Sequence, residues 1–183
     1  MRAAIDLLRA EGPEALTLRG VARAAGVSQT APYRHFADRR ELVAAVAQDG
    51  FERMGAAMME AMTRAEGRLG LRQVAATYVQ FAHTHPAEYR IMFGPEVAHQ
   101  QDLPTLRDAS HGVLAFVARG IAGLQQAGLI DASADPHAYA VAIWSMLHGL
   151  VMLSLDEQTT DVVPLEKLVE TSTHIMMFGM AKR

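Results

Sequence analysis

From Ala138 to Leu155 the chain carries no Asp, Glu, Lys or Arg. A run of that length and composition has two fates: it crosses a membrane, or it is a helix walled in by protein. Ser145, His148 and Gly149 sit in the middle of it, and acidic residues flank both ends (Asp131 and Asp135; Asp156 and Glu157). Neither end has the positive bias of a spanning segment, and no second run like it occurs. Burial in protein is therefore the expectation. A helix apolar all round needs partners on two sides. Its own core supplies one and a second copy of the chain supplies the other, so a two-fold homodimer is expected, with 135–155 and 164–180 as its interface. The second stretch contributes Leu165, Leu168, Val169, Ile175, Met176 and Phe178.

The rest of the chain reads as helix too, and no strand alternation or hairpin turn breaks the pattern. Ala4, Ile5, Leu7 and Leu8 fall at helical spacing over 2–11, which ends at Gly12-Pro13. Thr17 is placed to cap a helix over 18–24, with Gly26 beyond its end. Ser28 is placed to cap another over 29–36. Asp38 with Glu41 has capping-box spacing and opens a long helix over 38–63. A break is expected at Gly67–Gly70. Further helices are expected over 71–85, 86–93, 104–127, 135–155 and 164–180, several of them opened by proline. The fold class is all-α: a three-helix N-terminal unit over 1–45 and a helical body over 46–183.

Composition narrows the chemistry. The chain has no cysteine, which removes disulfides, thiolate metal sites and thiol redox sensing. His83 and His85 are two apart and do not share a helix face. The methionines are dispersed at core spacings. No metal and no cofactor is expected, and neither a Gly-rich phosphate loop nor a nucleophile motif points to an enzyme. The opening residues do not read as a signal peptide, and a cytoplasmic protein is the expectation.

Charge is distributed unevenly. The window Leu16–Arg40 holds five arginines (Arg19, Arg23, Arg34, Arg39, Arg40) against Asp38, a net +4, within a chain of −3. A basic segment on an acidic protein suits a reader of polyanions. Here it coincides with a helix, a turn at Ala25-Gly26-Val27 and a second short helix, the layout of a helix-turn-helix. Val27 is expected to tuck between the two helices and Phe36 to join the core. In such a unit the tip of the second helix meets base edges in the major groove and its flanks meet phosphates. Gln29, Thr30 and Ala31 form that tip. Ser28 caps it, Pro32 stiffens it, and Tyr33, Arg34, His35 and Arg39 offer hydrogen bonds and charge to the backbone.

Thr17 to Val46, TLRGVARAAGVSQTAPYRHFADRRELVAAV, resembles the DNA-binding domain of the TetR-type transcriptional regulators. The positions that carry the resemblance are Thr17, Val21-Ala22, Ala25-Gly26-Val27-Ser28, Tyr33-Arg34-His35-Phe36 and Arg39. The family usually has a longer basic stretch before the first helix, and Gly20 stands where a polar side chain is usual. Trp144 to Gly149, together with Glu88 to Gly94, resembles one branch of the family's C-terminal domains. The resemblance implies double-stranded DNA as partner, a palindromic operator, a homodimer and a small-molecule effector. A small apolar effector would sit among Phe81, His85, Tyr89, Met92, Phe93, Leu114, Val117, Trp144 and His148. The same residue types at helical spacing also make plain core. His148 suits a structural hydrogen bond as well as a ligand contact. The function expected is that of a ligand-responsive repressor. The alternatives are a constitutive DNA-binding protein whose body only dimerises, and an all-helical module with no DNA function.

Overall fold

The computed structural model describes residues 1–65, 67–98, 102–159 and 161–179, the side chain of Phe178 excepted. Among these residues there are eight α-helices and no strand. They are α1 Arg2–Glu11, α2 Leu18–Ala24, α3 Arg39–Thr63, α4 Gly67–Thr84, α5 Pro86–Met92, α6 Pro104–Gln126, α7 Pro136–Leu155 and α8 Leu165–Gly179. Three single turns of 3-10 helix add to them, at Pro13–Ala15, Pro32–Arg34 and Pro95–Val97. Proline dictates much of this layout. Six of the seven prolines are the first residue of a helix and the seventh, Pro164, directly precedes α8. At a helix start the missing N–H is no loss, because the first N–H groups have no intrahelical partner.

The expected α-helices match the observed ones within two residues, with two exceptions. One is 29–36, where the chain forms tight turns. The other is the break at Gly67–Gly70: α4 already begins at Gly67, which takes φ 59°, and Gly70 is buried one turn inside it. The chain breaks just before, at the turn Arg64–Ala65. The last residue of the stretch expected as helix 164–180, Met180, lies outside the described residues, as does the side chain of Phe178.

The chain forms two compact units. The first is Met1–Arg53 with His85–Ser110; the second is Met54–Thr84 with His111–Arg183. Helices α3 and α6 each pass from one unit into the other. The core of the first unit gathers Leu7 and Leu8 of α1, Leu16, Leu18 and Ala22, Leu42, Val43, Val46 and Phe51 of α3, and Tyr89 and Met92 of α5. The core of the second gathers Met54 and Met58, Leu71, Val74 and Tyr78 of α4, Ile121 of α6 and the stripe Ala140, Ile143, Leu147, Val151 of α7.

Helix α7 holds the uncharged run. It is long and apolar enough to cross a membrane by length and composition alone. It packs against α4 and α8 along that one stripe. Its other side leaves Val141 and Leu153 exposed, and α8 leaves Ile175 57 % exposed.

Candidate nucleic-acid interface

The site is built on α2. Thr17, in extended conformation, accepts a hydrogen bond from the Gly20 N–H at 3.0 Å and caps the helix as its sequence position requires. Gly20 stands at a close approach. A Cβ there would lie 2.6 Å from the Ala15 carbonyl oxygen, so the turn Pro13–Ala15 excludes any side chain at this position. At the far end the chain reverses through Gly26, at φ 66°. The Val27 N–H donates to the Ala22 carbonyl at 3.0 Å and the Gly26 N–H to that of Arg23 at 3.2 Å. These two bonds are a complete Schellman motif, which needs a left-handed residue where Gly26 sits.

Beyond Gly26 the chain departs from the expected helix 29–36, and Ser28 caps nothing. Residues 28–35 form successive tight turns: Ala31 N–H to Ser28 carbonyl at 3.0 Å, Arg34 to Ala31 at 3.2 Å and His35 to Pro32 at 2.9 Å. Only Pro32–Arg34 makes a regular element, a 3-10 turn that Pro32 opens. An α-helix capped by Ser28 would need an N–H at position 32 to reach the Ser28 carbonyl, and proline has none. The chain tightens to three-residue bonds instead. The Ser28 hydroxyl lies 3.3 Å from that of Thr30. Val27 is 48 % exposed rather than tucked between helices. Pro32 is buried, so it holds the segment down. Phe36 is half-buried and Ala31 likewise.

The polar members of the set stay together at the surface. Ser28, Gln29, Thr30, Tyr33, Arg34 and His35 are all exposed within one segment of eight residues. Gln29 and Thr17 share an open basin of about 380 Å³ with Arg19, Arg23, Glu11 and Glu14. In the sequence Arg19 and Arg23 show only as charge; the fold sets them beside Gln29. Helix α3 then starts on a variant of its capping box, with the return bond made one residue before the cap. Asp38 accepts from the Glu41 N–H at 2.9 Å, and Glu41 accepts from the Ala37 N–H at 2.7 Å. Arg39, expected to face phosphate, is engaged by acceptors of the protein itself and stays partly exposed. It donates to Glu96 Oε2 at 2.6 Å and to the Pro13 carbonyl at 2.9 Å.

Behind this surface α1, α3 and α5 are tied by charge. Glu88, 1 % exposed, accepts on Oε1 from Arg9 Nε at 3.0 Å, Arg9 Nη2 at 2.5 Å and Arg53 Nη2 at 3.2 Å. Burial pushes the Glu88 carboxyl up. The hydrogen bonds of Arg9, a backbone hydrogen bond, the charge of Arg9 and the hydrogen bond of Arg53 outweigh it and hold the carboxyl below its usual value. Arg9 is raised in turn, chiefly by its hydrogen bond to Glu88. His85 Nδ1 lies 3.1 Å from Arg9 Nη2, and since arginine can only donate, that nitrogen accepts. The imidazole is thus neutral at Nδ1, and burial first, then the two arginines against Glu88, lowers its pKa. No sequence signal links Arg9 to Glu88; they are 79 residues apart.

Of the residues expected at an effector, Tyr89 and Met92 are fully buried in the first unit, and Phe93 packs on Tyr89 and Phe51 with ring centroids 4.7 and 5.2 Å away. His85 belongs to the charge cluster around Glu88. In the second unit Phe81 and Val117 are buried, Leu114 and His148 are half-buried, and burial lowers the His148 pKa. Trp144 is partly exposed, and its indole N–H donates to the Tyr78 hydroxyl at 3.1 Å. His83, also lowered by burial, meets Ser154 Oγ at 2.9 Å. Ser154 directs its one proton to the Val151 carbonyl, so His83 Nε2 must carry the hydrogen and donate. Sequence reasoning misses Tyr78 as the partner of Trp144, and His83 and Ser154 as a bonded pair. Each lies on an apolar stripe where its polar atom gives no periodic signal.

Residues 1–46 match the family model described as bacterial regulatory proteins, tetR family, and residues 71–176 match the tetracyclin repressor-like C-terminal domain. A protein of unknown function from Rhodococcus sp. RHA1 is 30 % identical, with a TM-score of 0.85 over 99 % of this chain and 93 % of that one. The fatty acid degradation regulator FadR from Bacillus halodurans shares the fold at 16 % identity, with a TM-score of 0.78 over 100 % of this chain and 94 % of that one. A TetR family transcription regulator from Marinobacter aquaeolei VT8 does so at 19 %, with a TM-score of 0.69 over 100 % and 93 %. No curated protein is significantly similar in sequence.

Proposed function

The chain belongs to the tetR family of bacterial regulatory proteins, DNA-binding transcription regulators, and on that premise we propose that it is a homodimeric, cytoplasmic repressor released from a palindromic operator by a small apolar molecule. The observation that carries the reading is the segment Ser28–His35, six of whose side chains reach solvent together directly after a capped and terminated helix. Gln29 and Thr30 read base edges; Tyr33, Arg34 and His35, with Arg19 and Arg23 beside them, hold phosphates. A single segment this short makes too few contacts for specific binding. Two related by a two-fold axis read a palindrome. The outer sides of α7 and α8, apolar at Val141, Leu153 and Ile175, are the surfaces a second copy covers.

The domain reading follows the two matched regions, a reader over 1–45 and a regulatory body over 46–183. The effector is received in the body, where Phe81, Leu114, Val117, Trp144 and His148 are the candidate contacts. Helix α3 runs unbroken from reader to body and is the covalent route between them. The effector lowers operator affinity only by as much as it prefers the released state.

Two measurements test this. In a DNA-binding titration, Tyr33→Ala and Arg34→Ala are expected to weaken binding to all sequences, and Arg34→Ala to reduce the salt slope by about 1 as one phosphate goes without its cation. Gln29→Ala is expected to change which sequence is preferred. A Gln29→Ala protein with unaltered preference removes Gln29 from base reading. Trp144, the sole tryptophan, reports the body: its fluorescence should respond to an apolar compound that also releases operator. Release of DNA by no compound, with DNA binding intact, favours the constitutive alternative.

A further inference from the structure

We propose that Glu96, assisted by Asp102, is an internal substitute for DNA phosphate that occupies the arginines at the start of α3 and so lowers the protein's affinity for DNA of every sequence. This rests on the DNA-binding reading. Arg39 Nη1 donates to Glu96 Oε2 at 2.6 Å, and Arg40 Nη2 reaches Asp102 Oδ2 at 3.5 Å. A guanidinium recognises carboxylate and phosphate with the same planar set of donors, so an acid held here takes the place a phosphate oxygen would take. The backbone that carries the acid is anchored. Glu96 lies in the 3-10 turn Pro95–Val97, and Val97, the next residue, is buried at 1 % exposure. The arginines remain within reach of a polyanion: Asp38, Arg39, Arg40 and Glu96 line an open basin of about 480 Å³.

The balance between the two partners is close. Arg39 and Glu96 are 35 % and 37 % exposed, and ion pairs this open to water contribute little. A row of DNA phosphates, which releases condensed counterions when neutralised, displaces such an acid readily. Arg39 keeps its second bond, to the Pro13 carbonyl at 2.9 Å, through the exchange, so its guanidinium stays in place when the acid leaves. The basic window counted from sequence as net +4 is therefore weaker in the folded protein. Two of its five arginines are already faced by acids that lie 57 and 62 residues further along.

The test is a binding titration of the full chain against a mixed-sequence duplex over a salt series, with wild type, Glu96→Gln, Asp102→Asn, Arg39→Gln and the Arg39→Gln/Glu96→Gln double variant. Glu96→Gln is expected to bind about two- to fivefold tighter at moderate salt, the worth of one exposed pair, and more steeply with salt. Asp102→Asn gains less, because its ion pair is longer. In the Arg39→Gln background Glu96→Gln should gain nothing, which distinguishes release of Arg39 from a general loss of negative charge. Unchanged or weaker binding by Glu96→Gln overturns the inference and makes Glu96 a residue that orients Arg39. A gain that persists without Arg39 overturns it in favour of net charge alone. Wild type that binds no duplex overturns the DNA-binding reading itself; wild type that binds, with Glu96→Gln unchanged, overturns this inference only.

Discussion

Both units have apolar cores, and they differ in the polar bonds that cross between their elements. In the first, charge crosses between elements distant in sequence: Arg9 and Arg53 close on the buried Glu88, and Arg39 on Glu96. In the second, among the described residues, Trp144 bonds Tyr78 and His83 bonds Ser154, neutral pairs set among apolar stripes, and Arg68 of α4 donates to the Leu129 carbonyl. The difference suits the tasks proposed for them. A surface that meets DNA must keep arginines and can engage them internally while it waits. A body that dimerises and receives an apolar molecule gains most from apolar area, which drives association without regard to salt. The first unit should therefore answer to ionic strength and to the charge of Glu88, and the second to lost or charged apolar surface.

The largest effect expected falls on the second unit. Leu153→Arg sets a charge on the exposed apolar side of α7. If that side is the dimer interface, sedimentation should show a monomer. Operator affinity should then fall by about 10²-fold or more, because the linkage of two half-sites is lost. A dimer that survives the change places the interface elsewhere.

A smaller effect belongs to the first unit. Glu88→Gln keeps the shape but loses the charge-assisted bonds, at a cost of about 1–3 kcal/mol. Its signature lies in the pH profile. The Glu88 carboxyl is held below its ordinary 4.5, so its contribution is present above that value and lost as pH falls through the depressed one. Melting curves of wild type and variant should be fully separated above about pH 4.5 and converge as pH falls below it. His83 and His148, depressed by burial, give both proteins a shallower loss as pH falls below 6.5. Parallel curves throughout the acid range would mean that Glu88 is not charged in the folded protein.

The smallest effect is a gain. Helix α7 ends in the same two-bond turn as α2, with Gln158 N–H to Leu153 carbonyl at 2.9 Å and Glu157 N–H to Ser154 carbonyl at 3.2 Å. Where α2 uses Gly26, α7 uses Glu157 at φ 57°. Left-handed backbone strains a residue with a Cβ, so Glu157→Gly should stabilise by a few tenths to about 1 kcal/mol in denaturant melts, the strain relieved being partly offset by the entropy of glycine. A loss would show that the Glu157 side chain makes an interaction worth more than the strain.

The same contrast explains what is legible in the sequence. Helices show themselves through apolar spacing and punctuation, and the prolines mark starts with little error. Caps are local, so Thr17 and the Asp38–Glu41 pair can be read directly. The segment after Gly26 misleads because the residue types of a reading helix outweigh a local fact, the missing N–H of Pro32. Pairings across long separations leave no trace. Nothing near Arg9 points to Glu88, and nothing near Arg39 points to Glu96, so the basic window looks more available than the fold leaves it. The grouping of helices into units is equally hidden, since α5 joins α1 and α3 through side chains that periodicity cannot pair.

Reading of DNA sequence by Ser28–His35, twice over from a two-fold dimer, underlies the whole reading of function. Selecting duplexes from a random pool with the purified protein puts it to the test. The expected result is an enriched palindrome whose half-sites lie one helical turn, about 34–36 Å, or a multiple of it apart, with the preferred bases altered in Gln29→Ala. Enrichment of no sequence, or of a single unrepeated half-site, would contradict it.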